Sequence, residues 1–233
     1  MKKIAIFVEG QTERVFVRRL LSAIADRREI HFEEVQAHGA RHERASSFEW
    51  IAASNPRQGY YILLWDCGAV SKVRSDLLDR YQGLVRAGFQ RAIGVRDAHP
   101  VSREQMPSLR ANLNGIIPGP VPVDFILAVM EVEAWFIAEH THFARVDHRL
   151  TMKLIHRSLG IDPSRDNPEN LDRPSHDLHD IYSLVGLDYS KSAEDIERTA
   201  SKLDFHRIRR KHTGHVIADL DRLVDILDDF FSG

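Results

Sequence analysis

Along the first 140 residues, short and nearly continuous apolar segments alternate with segments of helical spacing. The apolar segments have the length of strands and lie at 3–8, 60–65, 89–95 and 123–130. Near-continuous apolar strands are typical of parallel sheets, because both faces of such sheets are covered. A weaker and more polar strand is predicted at 30–37, at an edge of the sheet. The pattern therefore predicts an α/β fold with a mostly parallel sheet flanked by helices.

Segments of helical spacing connect these strands and also make up the predicted elements beyond residue 140. The connecting helices are predicted at 12–25, 47–53, 71–86 and 103–113. Thr12 is predicted as the N-cap of the first helix, and Gly88 follows the end of the third. Beyond residue 140, helices are predicted at 150–159, 176–184, 193–203 and 216–231. We therefore predict an α/β domain over 1–140 and a helical C-terminal extension over 141–233 that packs on it.

Composition and charge exclude several classes of protein. The chain has 233 residues, of which 43% are hydrophobic and 28% are charged, as in ordinary globular proteins. A single cysteine excludes an internal disulfide framework, and the longest apolar runs fall short of the ~18 residues of a membrane span. Because the apolar run before Glu9 is also too short for a signal peptide, we expect a cytoplasmic protein. The net charge of −2 excludes a broad basic surface, so any contact with nucleic acid must be local.

Acidic residues follow the predicted strands, at the point where each strand ends. These residues are Glu9, Asp66, Asp97 and Glu131, with Glu133 two residues further on. Because parallel strands present their carboxyl ends at the same edge of a sheet, we expect these side chains to converge there. Converging carboxylates need a cation among them, and their hard oxygen atoms suit Mg²⁺ or Mn²⁺. The alternative is that they are ordinary turn formers and helix N-caps.

Groups that can bind phosphate flank these carboxylates. Residues 10–12 (Gly10, Gln11 and Thr12) open the first helix, where free backbone N–H groups can receive a phosphate. Lys72 and Arg74 at the start of a later helix can contact phosphates or simply face solvent. Arg96 can clamp a phosphate or pair with a neighbouring carboxylate.

The segment VEGQTE, between a predicted strand and a predicted helix, resembles the first motif of TOPRIM domains. More closely, the chain is similar to small TOPRIM-like proteins of the DUF4276 group and of the group related to OLD nucleases. Glu9 matches the motif glutamate, and Asp66 matches the first aspartate of an Asp-x-Asp pair after a later strand. The stretch from Glu133 to Trp135 (Glu-Ala-Trp) resembles a later acidic segment. The resemblance covers roughly residues 3–139 and leaves the helical remainder outside.

The resemblance implies a TOPRIM-like, Rossmann-like fold and a Mg²⁺- or Mn²⁺-dependent nuclease that acts on DNA or RNA in defence or repair. Glu9 would be a metal ligand or a general acid/base, and Asp66 would hold the metal. Asp97 is our own addition to this metal site, because Gly68 stands where the family has its second aspartate. Glu131 and Glu133 share one face if the strand continues, whereas only one of them faces the site if a helix has begun. The motif match favours Glu133.

Gly68 also favours an alternative function. A catalytically degenerate TOPRIM-like module would serve as an adaptor for a partner ATPase. A third alternative is an enzyme that binds nucleotides or phosphate esters and is unrelated to nucleic acid. A homodimer is compatible with each of these functions.

Three further features leave alternatives open. Cys67 is either a nucleophile or a buried thiol, and no adjacent base in the sequence supports the first alternative. His176 and His179 either bind a metal or have a structural role. The basic stretch 206–215 either follows a nucleic-acid backbone or is a solvated helix end.

Overall fold

The apolar runs of the sequence form the inner strands of one sheet. In this computed structural model, the described residues are 1–38, 47–53, 59–113, 115 and 119–232. Their strands are β1 (Lys2–Val8), β2 (Ile30–His38), β3 (Ser47–Ala53), β4 (Tyr60–Asp66), β5 (Arg91–Asp97) and β6 (Val123–Ala128). The strands lie in the order β3-β2-β4-β1-β5-β6. The apolar strand β1 is therefore central, and its last five residues are buried.

All but one of the strand pairs run in parallel. β1 is parallel to both β4 and β5, and β2 is parallel to β4, whereas β3 is antiparallel to β2. The Ala92 N–H donates to the Pro122 carbonyl at 3.0 Å, and the Ala98 N–H donates to the Ala128 carbonyl at 2.9 Å. These two bonds, with equal spacing along both strands, place β6 parallel to β5. The predicted α/β fold with a mostly parallel sheet is confirmed.

Helices connect the strands and then form the rest of the chain. The connecting helices are α1 (Gln11–Ala25), α2 (Lys72–Arg86) and α3 (Met106–Leu113), the last preceded by a 3₁₀ turn (Arg103–Gln105). After β6 come α4 (Glu133–Ala138), α5 (His142–Val146), α6 (Met152–Leu159), a 3₁₀ turn (Pro168–Asn170), α7 (Pro174–Ser183), α8 (Ala193–Ala200), α9 (Phe205–Arg209) and α10 (Ala218–Ser232). The predicted helical C-terminal part is confirmed. The sequence pattern missed α5 and α9 because five residues are too few to show a helical period.

Three local predictions were wrong. Residues 47–53 form the strand β3 and not a helix, and this strand pairs with β2. β3 then occupies the edge, so β2 lies inside the sheet. The N-cap of α1 is Gly10 and not Thr12, since Gln11 is already helical. In contrast, Gly88 follows the end of α2 with a φ of +76°, the left-handed conformation that glycine favours at this position.

The chain divides into two compact units. The first unit consists of Met1–Arg96, Glu104–Leu127 and Ile226–Gly233, and the second consists of Asp97–Arg103 and Ala128–Asp225. The boundary therefore falls at the carboxyl ends of β5 and β6, and the last residue of each strand is counted with the second unit. The division predicted at residue 140 stays a prediction.

Each unit has its own apolar core. In the first unit, α1 buries one face, which includes Phe16, Leu20 and Ile24, and β1 contributes Ile4 and Ile6. In the second unit, the largest fully buried side chains are aromatic, namely Trp135, Phe136, Phe143 and Tyr182. Burial of such side chains is the main source of stability in each unit.

Candidate functional site

The strand ends that the sequence singled out are neighbours in the sheet. Val8 of β1 pairs with Asp66 of β4 along one edge of the strand and with Val95 of β5 along the other edge. β6 follows β5, so the carboxyl ends of β4, β1, β5 and β6 lie side by side. In open α/β sheets, ligands bind in the crevice outside this edge.

Three carboxylates at this edge lie close enough together to hold one metal ion. They are Glu9, Glu13 and Asp97, and one oxygen atom from each side chain lies within 4.8 Å of the others. Glu9 follows β1 and is half-buried, whereas Glu13 and Asp97 are buried, with 4% and 7% of their surface exposed. Carboxylates this close repel one another unless a cation lies among them. Among the described residues, this acidic cluster has the geometry that suits a divalent cation.

Backbone hydrogen bonds orient the two buried members of the cluster. The N–H of Gly10, the N-cap of α1, donates to Glu13 Oε2 at 3.1 Å, which places this carboxylate at the positive end of the helix. The N–H of Val132 donates to Asp97 Oδ1 at 2.8 Å. Both carboxylates are therefore fixed by the N-cap residue of a helix, Glu13 by that of α1 and Asp97 by that of α4.

The residues predicted to receive a phosphate at α1 are at the start of the helix. Gly10 is the N-cap, and Gln11 and Thr12 are the first helical residues. The Gly10 N–H is engaged by Glu13, so a ligand at this helix end would meet a carboxylate. The phosphate-binding role of these three residues stays a prediction.

Asp66 lies at the same sheet edge but is held by other groups. Its Oδ1 accepts a hydrogen bond from the Gly68 N–H at 3.0 Å, and its Oδ2 lies 3.4 Å from Arg14 Nε. Arg14 also bonds Glu34 Oε2 at 3.1 Å. Asp66 of β4 pairs with Gln36 of β2, and Glu34 lies two residues before Gln36. The side chains of Asp66 and Glu34 therefore point to the same face of the sheet, on which α1 places Arg14. The predicted role of Asp66 as a metal ligand is not tested by this arrangement and stays a prediction.

Glu131 and Glu133 both contact a lysine from a distant part of the chain. β6 ends at Ala128, and Glu133 is the first residue of α4, so the strand does not continue through these two glutamates. Lys191 Nζ lies 3.0 Å from Glu131 Oε1 and 3.1 Å from Glu133 Oε2. The Tyr189 hydroxyl donates to Glu133 Oε1 at 2.9 Å, and Ser175 donates to Glu131 through both its N–H and its hydroxyl.

The electrostatics of this group keep Lys191 charged. Burial alone would lower the pKa of Lys191, but the charges of Glu133, Glu131 and Asp97 raise it above its ordinary value. Burial raises the pKa of Glu133, and the charge of Lys191 opposes that rise. Burial would also raise the pKa of Glu131, but the Ser175 hydrogen bonds and Lys191 bring it below its usual value. The predicted metal-binding role of Glu131 and Glu133 stays a prediction, and both already have a cation beside them.

The predicted basic residues lie near the same ends of the strands. Lys72 is the first residue of α2 and is exposed, whereas Arg74 is half-buried in its first turn. Arg96 is half-buried and precedes Asp97 at the end of β5. Their contacts with phosphate stay predictions.

Cys67 is a buried thiol without access to solvent. Its exposed fraction is 0%, and burial, together with the charges of Asp76 and Asp66, raises the pKa of the thiol. Since the reactive species is the thiolate, we expect the folded protein to react with a thiol reagent such as dithionitrobenzoate only as fast as it unfolds. Cys67 is the single cysteine of the chain, so the absorbance change reports it alone. The protein in urea is the control, and fast stoichiometric labelling of the folded protein would contradict this expectation.

Sequence reasoning gave no role to two residues of this region. Glu13 lies within the VEGQTE segment, four residues after Glu9. Because residues four apart at a helix start lie close together, this spacing could have indicated that the two glutamates are neighbours. Lys191 lies between α7 and α8, far from the strand ends in sequence. No local pattern marks it, because its position follows from the folding of the second unit.

The fold and the acidic cluster together define an α/β protein with a candidate centre for a divalent cation. The chain belongs to the DUF4276 family (Domain of unknown function), whose model matches residues 8–221. The match extends through most of the helical part, which the sequence resemblance had left outside. Comparisons with curated proteins and with solved structures find no match. None of the helices in the described parts of the chain has the length and apolar character of a membrane span.

Proposed function

We propose that this chain is a Mg²⁺- or Mn²⁺-dependent enzyme that hydrolyses or transfers phosphodiester bonds of nucleic acid. The observation that carries the proposal is the cluster of Glu9, Glu13 and Asp97 at the carboxyl edge of the sheet. The resemblance of VEGQTE to the TOPRIM motif supports the same chemistry, and it includes Glu9 itself. A role in defence or repair, with DNA or RNA as substrate, belongs to this proposal.

The donor set fits a hard divalent cation. All three candidate ligands are carboxylates, with neither sulfur nor imidazole among them, and Mg²⁺ and Mn²⁺ prefer such oxygen ligands. Two of the three are more than nine-tenths buried, so their mutual repulsion is poorly screened by water. A divalent charge would offset that repulsion. Mg²⁺ usually retains several waters and is held by one or two carboxylates, so Glu13 and Asp97 would be enough to hold it.

The three carboxylates have different exposures and therefore different roles. A bound divalent cation would stabilise the negative charge that develops on the phosphate oxygens. Glu13 and Asp97, each fixed by a backbone N–H, would hold the cation in place. Glu9 is more exposed than the other two, so it would accept the proton of the attacking water. Lys72, Arg74 and Arg96 would contact neighbouring phosphates.

The test is cleavage of nucleic acid by purified protein, with Glu9→Gln and Asp97→Asn as variants. We expect Mg²⁺- or Mn²⁺-dependent cleavage that falls about 10²–10⁴-fold in Glu9→Gln, since a general base contributes that much to the rate. Asp97→Asn should weaken Mn²⁺ binding, measured by calorimetry. Asp79→Asn is the matched control, because Asp79 is an exposed residue of α2. Absence of cleavage with either metal, or normal cleavage by Glu9→Gln, would refute the proposal.

A second candidate function is a non-catalytic adaptor that acts with a partner ATPase. The observation that favours it is Asp66, whose two oxygens are engaged by the Gly68 N–H and by Arg14. In this alternative, Gly68 replaces a metal-ligating aspartate, and the remaining one is a structural group. The same calorimetric titration separates the two functions, because an adaptor with a degenerate site would bind neither Mg²⁺ nor Mn²⁺.

A further inference from the structure

A cavity of about 350 Å³ lies within the second unit, and the acidic cluster does not account for it. It is lined by the first turns of α7, by the segment 189–191 that follows α7, and by His99 and Glu131. Its volume is at the lower end of the range of small-ligand sites. The side chains that line it are mainly donors of hydrogen bonds: Arg173, Ser175, His176, His179, Ser190 and Lys191.

The acidic residues of the cavity are already engaged. Glu131 accepts hydrogen bonds from the Ser175 N–H at 2.8 Å and from the Ser175 hydroxyl at 3.0 Å, and it pairs with Lys191. Asp172 forms an ion pair with Arg103 and is 82% exposed. Neither of these two carboxylates contacts Arg173, so the charge of this guanidinium on the cavity wall favours an anionic ligand.

Arg173 is the cation with the greatest capacity to bind a ligand. In the part of the chain that the structure describes, its guanidinium has no hydrogen bond or ion pair, although its charge acts on Asp177. It is the N-cap residue of α7, and it is exposed. A guanidinium offers a planar pair of donors that matches two phosphate oxygens.

Lys191 contributes a second cation whose position is fixed. Its backbone is left-handed, with a φ of +57°, and Met130, next to Glu131, is also left-handed, with a φ of +63°. Non-glycine residues rarely adopt this conformation, and such strain is concentrated at functional sites. The strained segment holds the Lys191 ammonium against Glu131 and Glu133 while the side chain remains 39% exposed.

The histidines of the cavity do not form a metal site. His176 Nδ1 lies 3.3 Å from Asp180 Oδ2, and His179 Nδ1 accepts a hydrogen bond from the Tyr189 N–H at 3.4 Å. Among the described residues, neither histidine belongs to a group of three or more side chains that could hold a metal ion. The histidines therefore serve as further polar groups on the wall of an anion site.

We propose that this cavity binds the phosphate group of a nucleotide, with Arg173 and Lys191 as the binding cations. The cavity exceeds the size of a phosphate group, so it leaves room for the attached sugar. The inference rests on the proposed function, because it names the part of the substrate that the second unit recognises. The nucleotide is either free or at the 5′ end of a nucleic-acid strand, and both sources present the same phosphate monoester.

The test is calorimetric titration of the full chain in the presence of EDTA, so that binding cannot depend on a metal. The probes are inorganic phosphate, AMP and one oligonucleotide with and without a 5′ phosphate. We expect saturable binding that Arg173→Gln weakens about tenfold or more, since a charged hydrogen bond to phosphate is lost. Lys191→Gln should weaken it as well, because the second cation is lost. Arg157→Gln is the matched control, because Arg157 is an exposed arginine of α6 outside the cavity.

The outcomes separate this inference from the proposed function. No saturable binding of any probe, or equal affinities for wild type, Arg173→Gln and Lys191→Gln, would overturn the phosphate site. If metal-dependent cleavage then still requires Glu9, the proposed function stands without the phosphate site. If phosphate binds in the cavity but no nucleic acid is cleaved, the proposed function fails and the phosphate site stands. Preference for AMP identifies a free nucleotide as the ligand, whereas preference for the phosphorylated strand identifies a strand end.

Discussion

Replacement of Glu139 by alanine is expected to lower the free energy of unfolding of the second unit by about 2–3 kcal/mol, because it leaves a hydrogen-bond donor in a buried position without its acceptor. Glu139 directly follows α4, and its side chain is fully buried. Its oxygens accept hydrogen bonds from the Thr141 hydroxyl, from Arg145 Nη2 at 2.6 Å and from the Asp204 N–H at 3.0 Å. One carboxylate therefore joins α4 to α5 and to the N-cap of α9.

The cost comes from the groups that alanine would leave behind. The Asp204 N–H would lose its acceptor, and Arg145, whose side chain is 40% exposed, would lose its carboxylate partner. Glu139→Gln should cost less, because an amide oxygen can still accept one of these hydrogen bonds. A measurable loss of stability in Glu139→Gln, which keeps the volume of the side chain, distinguishes a buried hydrogen-bonded carboxylate from simple packing.

Urea denaturation followed by the fluorescence of Trp135 measures this effect. Trp135 belongs to the second unit, and replacement of Trp50 and Trp65 by phenylalanine leaves it as the only tryptophan. Glu194→Ala is the matched control, since Glu194 is an exposed glutamate of α8 and should change stability by less than about 0.5 kcal/mol. Equal stabilities of Glu139→Ala and Glu194→Ala would show that the Glu139 contacts contribute nothing.

The α/β fold could be predicted because its signals are local. The strands β1, β4, β5 and β6 are short apolar runs, and each is followed by an acidic residue that marks its carboxyl end. The parallel order of the strands then places these ends together without any further information. β3 was mistaken for a helix because its seven residues contain alanines, and a segment this short does not decide between the two periods.

The side-chain partners of the acidic residues could not be predicted. Asp66 and Glu9 follow neighbouring strands, yet Arg14 of α1 pairs with Asp66, while Glu13 and Asp97 cluster with Glu9. The pattern of apolar residues fixes which face of α1 is buried, but it does not say which carboxylate an arginine on that helix will meet. Lys191 shows the same limit over a longer range, because a strained residue between two helices supplies the cation for Glu131 and Glu133.

Buried polar groups of the second unit also make its stability depend on pH, and His142 is expected to dominate this dependence. The side chain is fully buried, its Nδ1 lies 2.7 Å from the Glu139 carbonyl oxygen, and its Nε2 lies 3.1 Å from the Tyr182 hydroxyl. Burial, helped by the charge of Arg145, lowers the pKa of His142 from 6.5 to about 3. The imidazole is therefore neutral in the folded protein, with its Nδ1 proton donated to the carbonyl.

The sign of the pH effect follows from this lowered pKa. Above pH 6.5, both the folded and the unfolded chain carry a neutral His142, so the stability is fully present. Below that pH, the unfolded chain binds a proton at His142, whereas the folded protein does not bind it until about pH 3. Stability is therefore lost across this interval. At about 1.4 kcal/mol for each unit of pKa difference, the full loss is on the order of 5 kcal/mol.

Wild type is therefore expected to lose about 2 kcal/mol more than His142→Gln between pH 6.5 and pH 5, because glutamine does not titrate. The measurement is urea denaturation at several pH values, again with Trp135 as the only tryptophan. The slope with pH is the readout, so a constant packing defect in the variant does not affect it. His206→Gln is the control, since His206 is an exposed histidine of α9 and its variant should follow the wild-type slope. Parallel curves for wild type and His142→Gln would mean that the buried imidazole is protonated in the folded protein, and they would contradict this expectation.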